Sequence, residues 1–142
     1  MSGGPDGSLL LDTCALIWLM NGELDGSEAR PMLAGALRSG GLLVSTTSAW
    51  EIGLLSRSPA RLRFLPDPKT WFARAVAQPG IRLAAITPEV AIDSSHLPGD
   101  LHGDPADRLI IATSRHLGAP VVTRDRRMIE YAASGHVAVV CC

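Results

Sequence analysis

Short runs in which consecutive residues are apolar limit what this chain can become. Leu9-Leu10-Leu11 and Leu42-Leu43-Val44 leave no position for a solvated face, so each reads as a strand buried on both sides. Ala119-Pro120-Val121-Val122-Thr123 reads the same way, and Ile81 to Ile86 and Val137 to Val140 complete five strands. Helical patterns fill the intervals. Thr13 to Met20 places Leu16, Ile17 and Met20 on one side and stops at Asn21-Gly22. Ser27 is expected to cap a helix from Glu28 to Arg38. Ala49 to Leu55 is the third helix. Pro68 to Ala77 is the next, turning Trp71, Phe72 and Val76 inward. Thr87 caps Pro88 to Ser95, and Asp125 to Ala133 is the last helix. Alternation of short buried strands with helices predicts an α/β domain with a five-stranded parallel sheet covered on both faces. At 142 residues one core suffices. The single domain is expected to span 1–142, with a glycine-rich, frayed start at 1–7.

The sharpest local signal is Asp104-Pro105-Ala106-Asp107-Arg108-Leu109-Ile110-Ile111-Ala112. Proline is tolerated at the first helical position because its missing N–H would be unpaired there anyway. Asp104 then falls at the N-cap and Asp107 three residues in. The helix runs to Leu117 and ends at Gly118, a good terminator. The following strand leads directly to Asp125.

Other acids point to the same place. In a parallel sheet, ligands bind outside the carboxyl ends of the strands. Asp12 ends the first strand, Glu51 lies one turn into the helix after the second, Asp107 opens the long helix, and Asp125 follows the fourth strand. Each has a plain structural reading. Ser48-Ala49-Trp50-Glu51 has the form of a capping box. Asp12, Asp104 and Asp125 suit N-caps. Taken together, four carboxylates on one edge repel one another unless protonated or bridged by cations. An oxygen-only donor set without a His/Cys cluster suits Mg²⁺ or Mn²⁺. Such ions assist in-line attack on phosphodiesters.

These stretches carry a family resemblance. Leu9-Leu10-Leu11-Asp12-Thr13, Ser48-Ala49-Trp50-Glu51-Ile52, Asp104 to Ala112, and Leu117-Gly118-Ala119-Pro120-Val121-Val122-Thr123-Arg124-Asp125 resemble the motifs of PIN-domain nucleases. The nearest branch is the VapC-type toxins of bacterial toxin–antitoxin pairs. The similarity runs in order from Leu9 to about Val140. It implies a PIN-like three-layer α/β/α fold and a Mg²⁺-dependent endoribonuclease cutting single-stranded regions of RNA, with Mn²⁺ able to substitute. Asp12, Glu51, Asp107 and Asp125 match the family's four catalytic, metal-holding acids. Asp104 is a cap or a supporting ligand, and Thr123 matches a hydroxyl residue that could hold a water at the metal. Cys14 stands where this branch often has His, and Ala106 where it often has Phe. The resemblance also implies a VapB-type antitoxin partner and a homodimer. Leu54, Leu55 and Trp71 are offered as lining for the antitoxin groove.

The formal net charge is −1, so bulk charge alone implies no nucleic-acid partner, and a local basic patch or metal ions would have to meet phosphate. Arg57, Arg61, Arg63, Arg124 and Arg126 are the candidates for RNA contact, and Arg127 lies beside them. Three cysteines form neither a disulfide framework nor a zinc spacing, which suggests a reducing compartment. No apolar run reaches membrane-spanning length, so the expectation is a cytoplasmic protein without membrane contact. His96 and His102 read as loop residues, and Trp50 and Trp71 as core rather than base-stacking platforms. Two rivals stay open. An acidic-site phosphatase would want a second acid in Asp12-Thr13-Cys14. A catalytically silent PIN-like module would bind RNA or protein without cutting.

Overall fold

Leu9–Leu11, Leu42–Ser45 and Val121–Thr123 are buried at every position, whereas the edge strand Ile81–Ala84 leaves Arg82 and Leu83 exposed. The computed structural model describes residues 7–142, so the expected frayed start lies outside the described residues except for Gly7. The first unit is β1 (Leu9–Leu11) followed by α1 (Thr13–Met20) and α2 (Arg30–Ser39). Next come β2 (Leu42–Ser45), α3 (Thr46–Leu55) and α4 (Pro68–Val76), then β3 (Ile81–Ala84) and α5 (Pro88–Asp93). The chain closes with α6 (Pro105–Leu117), β4 (Val121–Thr123), α7 (Arg126–Ala133) and β5 (Val139–Cys141).

The five strands form one parallel sheet in the order β3-β2-β1-β4-β5. Leu10 is paired in register with Leu43 on one side and Val121 on the other. The two-residue period of a strand then sorts the side chains. Leu10, Leu43, Val121 and Val139 point into one core with Ile110 and Ile111 of α6 and Met128 and Tyr131 of α7. Leu9, Leu11, Val44, Val122 and Val140 point into the other, against Leu16, Leu33, Ile52 and Ala75. This is the three-layer architecture expected from the alternation of elements. Ile110 and Ile111 are fully buried. Truncating either to Ala would cost about 2–5 kcal/mol through lost transfer energy and a residual cavity.

The strand order also positions the site. β2 and β3 extend from β1 in one direction, and the chain then returns to place β4 and β5 on the other side. The reversal falls between β1 and β4, and helices leave that point toward opposite faces. A crevice opens at the carboxyl ends of those strands. Gly118 supports the return: its φ of 66° ends α6 in the left-handed conformation that favours glycine.

Three local expectations are corrected. The third helix starts at Thr46, capped by Ser45, whose hydroxyl accepts from the Thr47 N–H at 2.9 Å. Ser48 and Glu51 are therefore not a capping box: Glu51 sits in the second turn, beyond the unpaired N–H groups that a box would satisfy. Trp50 is not core. It lies on the outer face of α3, where it is 49% exposed beside exposed Leu54 and Leu55. Trp71 is half-buried and packs edge-on against Phe64, with ring centroids 5.0 Å apart. The second helix begins at Arg30 rather than Glu28. Ser27 instead takes the Ala29 N–H in the turn ahead of it.

Candidate functional site: an acidic cleft at the carboxyl edge of the sheet

Asp12, Glu51, Asp104, Asp107 and Asp125 line one cleft of about 350 Å³, together with Thr13, Cys14, Trp18, Arg124 and Arg127. They come from five places in the sequence, and local capping explains how some of them arrive. Asp12 caps α1, its Oδ1 accepting from the Ala15 N–H at 2.7 Å. Asp125 caps α7 through the Arg127 N–H at 2.8 Å. Asp104 caps α6, taking the N–H groups of Ala106 at 2.9 Å and Asp107 at 3.3 Å. Glu51 and Asp107 cap nothing.

Glu51 is held by a chain of hydroxyls. Thr13 donates to its Oε1. Having given away its only proton, Thr13 must accept from Ser48, whose Oγ lies 3.0 Å away. Thr123 is fully buried. Its hydroxyl accepts from the Asp125 N–H at 2.9 Å and faces the Asp12 carboxylate. The hydroxyl thus links the backbone of Asp125 to the side chain of Asp12.

The charges are out of balance. Burial pushes the Asp12 carboxyl above its ordinary value, and Asp125 pushes it further; the Thr123 and Ala15 hydrogen bonds oppose this. Glu51 is raised by burial and by Asp104 and Asp12, against the pull of Thr13. Asp107 moves most, to about 7: desolvation leads, Asp104, Asp125 and Glu51 add to it, and Arg127 partly offsets them. The Cys14 thiol, desolvated and surrounded by carboxylates, is pushed up to about 11 and so keeps its proton at neutral pH. Burial and like-charge repulsion both disfavour a further anion in the cleft.

The arginines divide. Arg127 stands 3.8 Å from Asp107 Oδ2 and 3.7 Å from Asp125 Oδ1. Arg124 lies with its guanidinium 4.0 Å from the Trp18 ring centroid and donates to the Cys142 carbonyl. Arg126 does not line the cleft, and Arg127, its neighbour on the helix, does. Arg57, Arg61 and Arg63 are exposed between α3 and α4, outside the cleft lining. His102 is the loop residue expected, and its Nε2 lies 3.3 Å from Asp107 Oδ2. Its position two residues before Asp104 was the available signal: an N-cap turn folds that residue back onto the helix start.

The donor set fits a hard divalent cation: every anionic group in the cleft lining is a carboxylate. Among the described residues no three His, Cys, Asp or Glu side chains form a ready-made cage for one ion.

A model of the PIN domain family matches residues 9–134. A ribonuclease of Mycobacterium tuberculosis, VapC22, is 36% identical over 87 residues, 61% of this chain and 65% of the relative, so the match spans a little under two thirds of that protein. Among solved structures, VapBC2 from Rickettsia felis bound to a promoter DNA fragment superposes with a TM-score of 0.64 at 11% identity, over 94% of this chain and 97% of that one. FitAB bound to a DNA fragment superposes with a TM-score of 0.57 at 21% identity, over 94% of each chain. A Klebsiella pneumoniae toxin–antitoxin complex gives a TM-score of 0.54 at 20% identity, over 85% of this chain and 90% of that one. At those identities the structural likenesses bear on the fold.

Proposed function

The chain belongs to the PIN-domain family, and from that premise we propose that it is a Mg²⁺-dependent endoribonuclease of the VapC toxin type, cutting single-stranded regions of RNA. The observation that carries this reading is the cleft itself. Five carboxylates meet there, two of them with no capping duty, and the Asp107 carboxyl is raised to about 7. A fold that needed only caps would not gather Glu51 and Asp107 with the others. Asp12, Glu51, Asp107 and Asp125 would hold the cation, with Asp104 as the cap that orients the first turn of α6.

When bound, Mg²⁺ supplies positive charge to the phosphodiester and acidifies the attacking water. The protein's own groups prepare for that. Ser48 and Thr13 fix the Glu51 carboxylate through two successive hydroxyls. Thr123 sets Asp12 and the backbone of Asp125 against each other. Asp107 retains its proton through the acidic range, which relieves repulsion until a cation takes over that task. Arg124 and Arg127 are the basic groups at the cleft and suit phosphate oxygens. Mn²⁺ is expected to substitute for Mg²⁺.

The partner reading rests on the neighbours, several of which are toxin–antitoxin complexes, and on exposed Trp50, Leu54 and Leu55 along α3. A VapB-type antitoxin and a second copy of this chain are the proposed partners. Trp71 is withdrawn from that surface because it packs on Phe64. No helix among the described residues is long and apolar enough to cross a membrane, and a cytoplasmic setting accords with an RNA substrate.

The test is cleavage of a single-stranded RNA by purified protein with Mg²⁺, with Mn²⁺ and with EDTA. Metal-dependent products from the wild type and none from Asp12→Asn are expected. RNA bound but never cut in either metal would leave a silent module in place of a nuclease. Light scattering with and without the product of a neighbouring small gene tests the antitoxin and the dimer.

A further inference from the structure

We propose that His102 is a positioning residue for Asp107: its Nε2–H engages Oδ2 and fixes how the carboxylate is presented to a divalent cation. The proposal rests on the reading of Asp107 as a cation ligand and deepens it. The tautomer follows from the surroundings. The Asp104 N–H points at His102 Nδ1 across 3.2 Å, so Nδ1 is the acceptor and, in the neutral ring, Nε2 carries the proton. That Nε2 is buried and makes no hydrogen bond that meets the angular requirement, yet it stands 3.3 Å from Asp107 Oδ2. A buried donor of this kind needs an acceptor, and the carboxylate is the one at hand.

The loop that carries the ring is tied to the same helix. Arg108, the residue after Asp107, donates to the carbonyl oxygens of Ser94 at 2.8 Å, Leu101 at 3.2 Å and His102 at 3.3 Å. One helical turn thus holds the carboxylate, the backbone of the histidine that touches it, and, through the Asp104 N–H, the tilt of the ring. Arg127 also approaches Oδ2, but at 3.8 Å and from a side chain 57% exposed, against 16% for His102. Of the two, His102 is the fixed partner. Both act at Oδ2, and no hydrogen bond or ion pair among the described residues engages Oδ1. Carboxylates that hold metals are in turn oriented by such hydrogen bonds, whose loss weakens metal binding about 10- to 100-fold.

The experiment measures Mn²⁺ binding from the free-ion spin-resonance signal at one fixed pH, without RNA. The proteins are wild type, Asp107→Asn, His102→Gln, His102→Asn and His102→Leu, each also melted in chelator. Gln places an amide N–H near the position of Nε2; Asn places it near Nδ1, and Leu has no donor. Expected are about a 10-fold or greater loss of Mn²⁺ affinity in His102→Leu and His102→Asn, and recovery of most of it in His102→Gln. If His102→Leu does not fold, the Asn and Gln pair decides. Wild-type affinity in the Leu or Asn variant overturns the proposal, as does equal loss in Gln and Asn. Wild-type affinity in Asp107→Asn would overturn the metal reading of that carboxylate. Loss in Asp107→Asn with none in the His102 variants would sink only the positioning role.

Discussion

Two helices of this molecule begin in the same way and do opposite electrostatic work. At α4, Asp67-Pro68 opens the helix, and Asp67 takes the Thr70 N–H and hydroxyl, each at 2.8 Å. At α6, Asp104-Pro105 opens the helix, and Asp104 takes the N–H groups of Ala106 and Asp107. The Thr70 hydrogen bonds, the backbone one first, hold the Asp67 carboxyl below its ordinary value. At the matching position of α6 stands Asp107, pushed up to about 7 by burial and by Asp104, Asp125 and Glu51. Capping a helix N-terminus by itself favours the charged carboxylate. Asp12 makes the point within the cleft: it too is an N-cap, yet burial overrides the cap and raises it. Being a cap neither argues against membership of the site nor accounts for its charge.

The largest expected effect separates the two helix starts by function. Asp107→Asn should reduce RNA cleavage to the EDTA background while the fold is retained by circular dichroism. Asp67→Asn, which keeps a capping side chain, should cut at the wild-type rate. Equal loss in both would erase the distinction.

Next in size is the pH dependence of stability. An acid raised in the folded state binds its proton more tightly there than in the unfolded chain. Stability in chelator should therefore fall as pH rises from about 4 to about 7, with Asp107 contributing the largest share. Asp107→Asn should remove the larger part of that decline in urea titrations, leaving the share that Asp12 and Glu51 contribute, and Mg²⁺ should raise the wild-type Tm at pH 8 more than the variant's. Asp67 carries the opposite sign: its contribution is present above the ordinary carboxylate value and is lost as pH falls through its lowered one. Asp67→Ala should flatten only the acid end of the same curve and leave the Mg²⁺ response intact.

A smaller effect is expected at Glu51. Thr13→Val removes the hydrogen bond that opposes burial there. The acid limb of the cleavage pH profile should move to higher pH, with a stability loss of about 1 kcal/mol. An unmoved limb would mean that Glu51 does not ionise in the step being measured. Smallest of all is Asp104→Asn. Asn caps as well as Asp, so cleavage should stay near the wild-type rate, while Tm in chelator should rise slightly because Asp104 no longer repels Asp107 and Glu51; a loss of cleavage matching that of Asp107→Asn would make Asp104 a ligand.

Most of the frame can be read from the chain because it rests on local rules. Unbroken apolar runs mark strands covered on both faces, and Gly118 and the Asp-Pro pairs mark helix ends wherever they occur. α3 begins three residues earlier than the sequence pattern predicts, because Thr46-Thr47-Ser48 offers several side chains able to cap. β2 pairs as far as Ser45, which therefore caps α3, and the packing of that helix on the sheet leaves Trp50 outward. The four acids could be nominated from strand ends and helix starts, since parallel strands carry all those points to one edge. Which arginine faces them could not: Arg126 and Arg127 are adjacent, and the rotation of α7 against the sheet decides between them. The same holds for His102, whose part depends on Arg108 tying its loop down, and for the raised carboxyl of Asp107, which exists only when segments 51, 104, 107 and 125 share one poorly solvated cleft. Backbone propensity acts within a few residues and is written in the local sequence; desolvation and Coulomb repulsion act through space, and only the folded chain sets those distances.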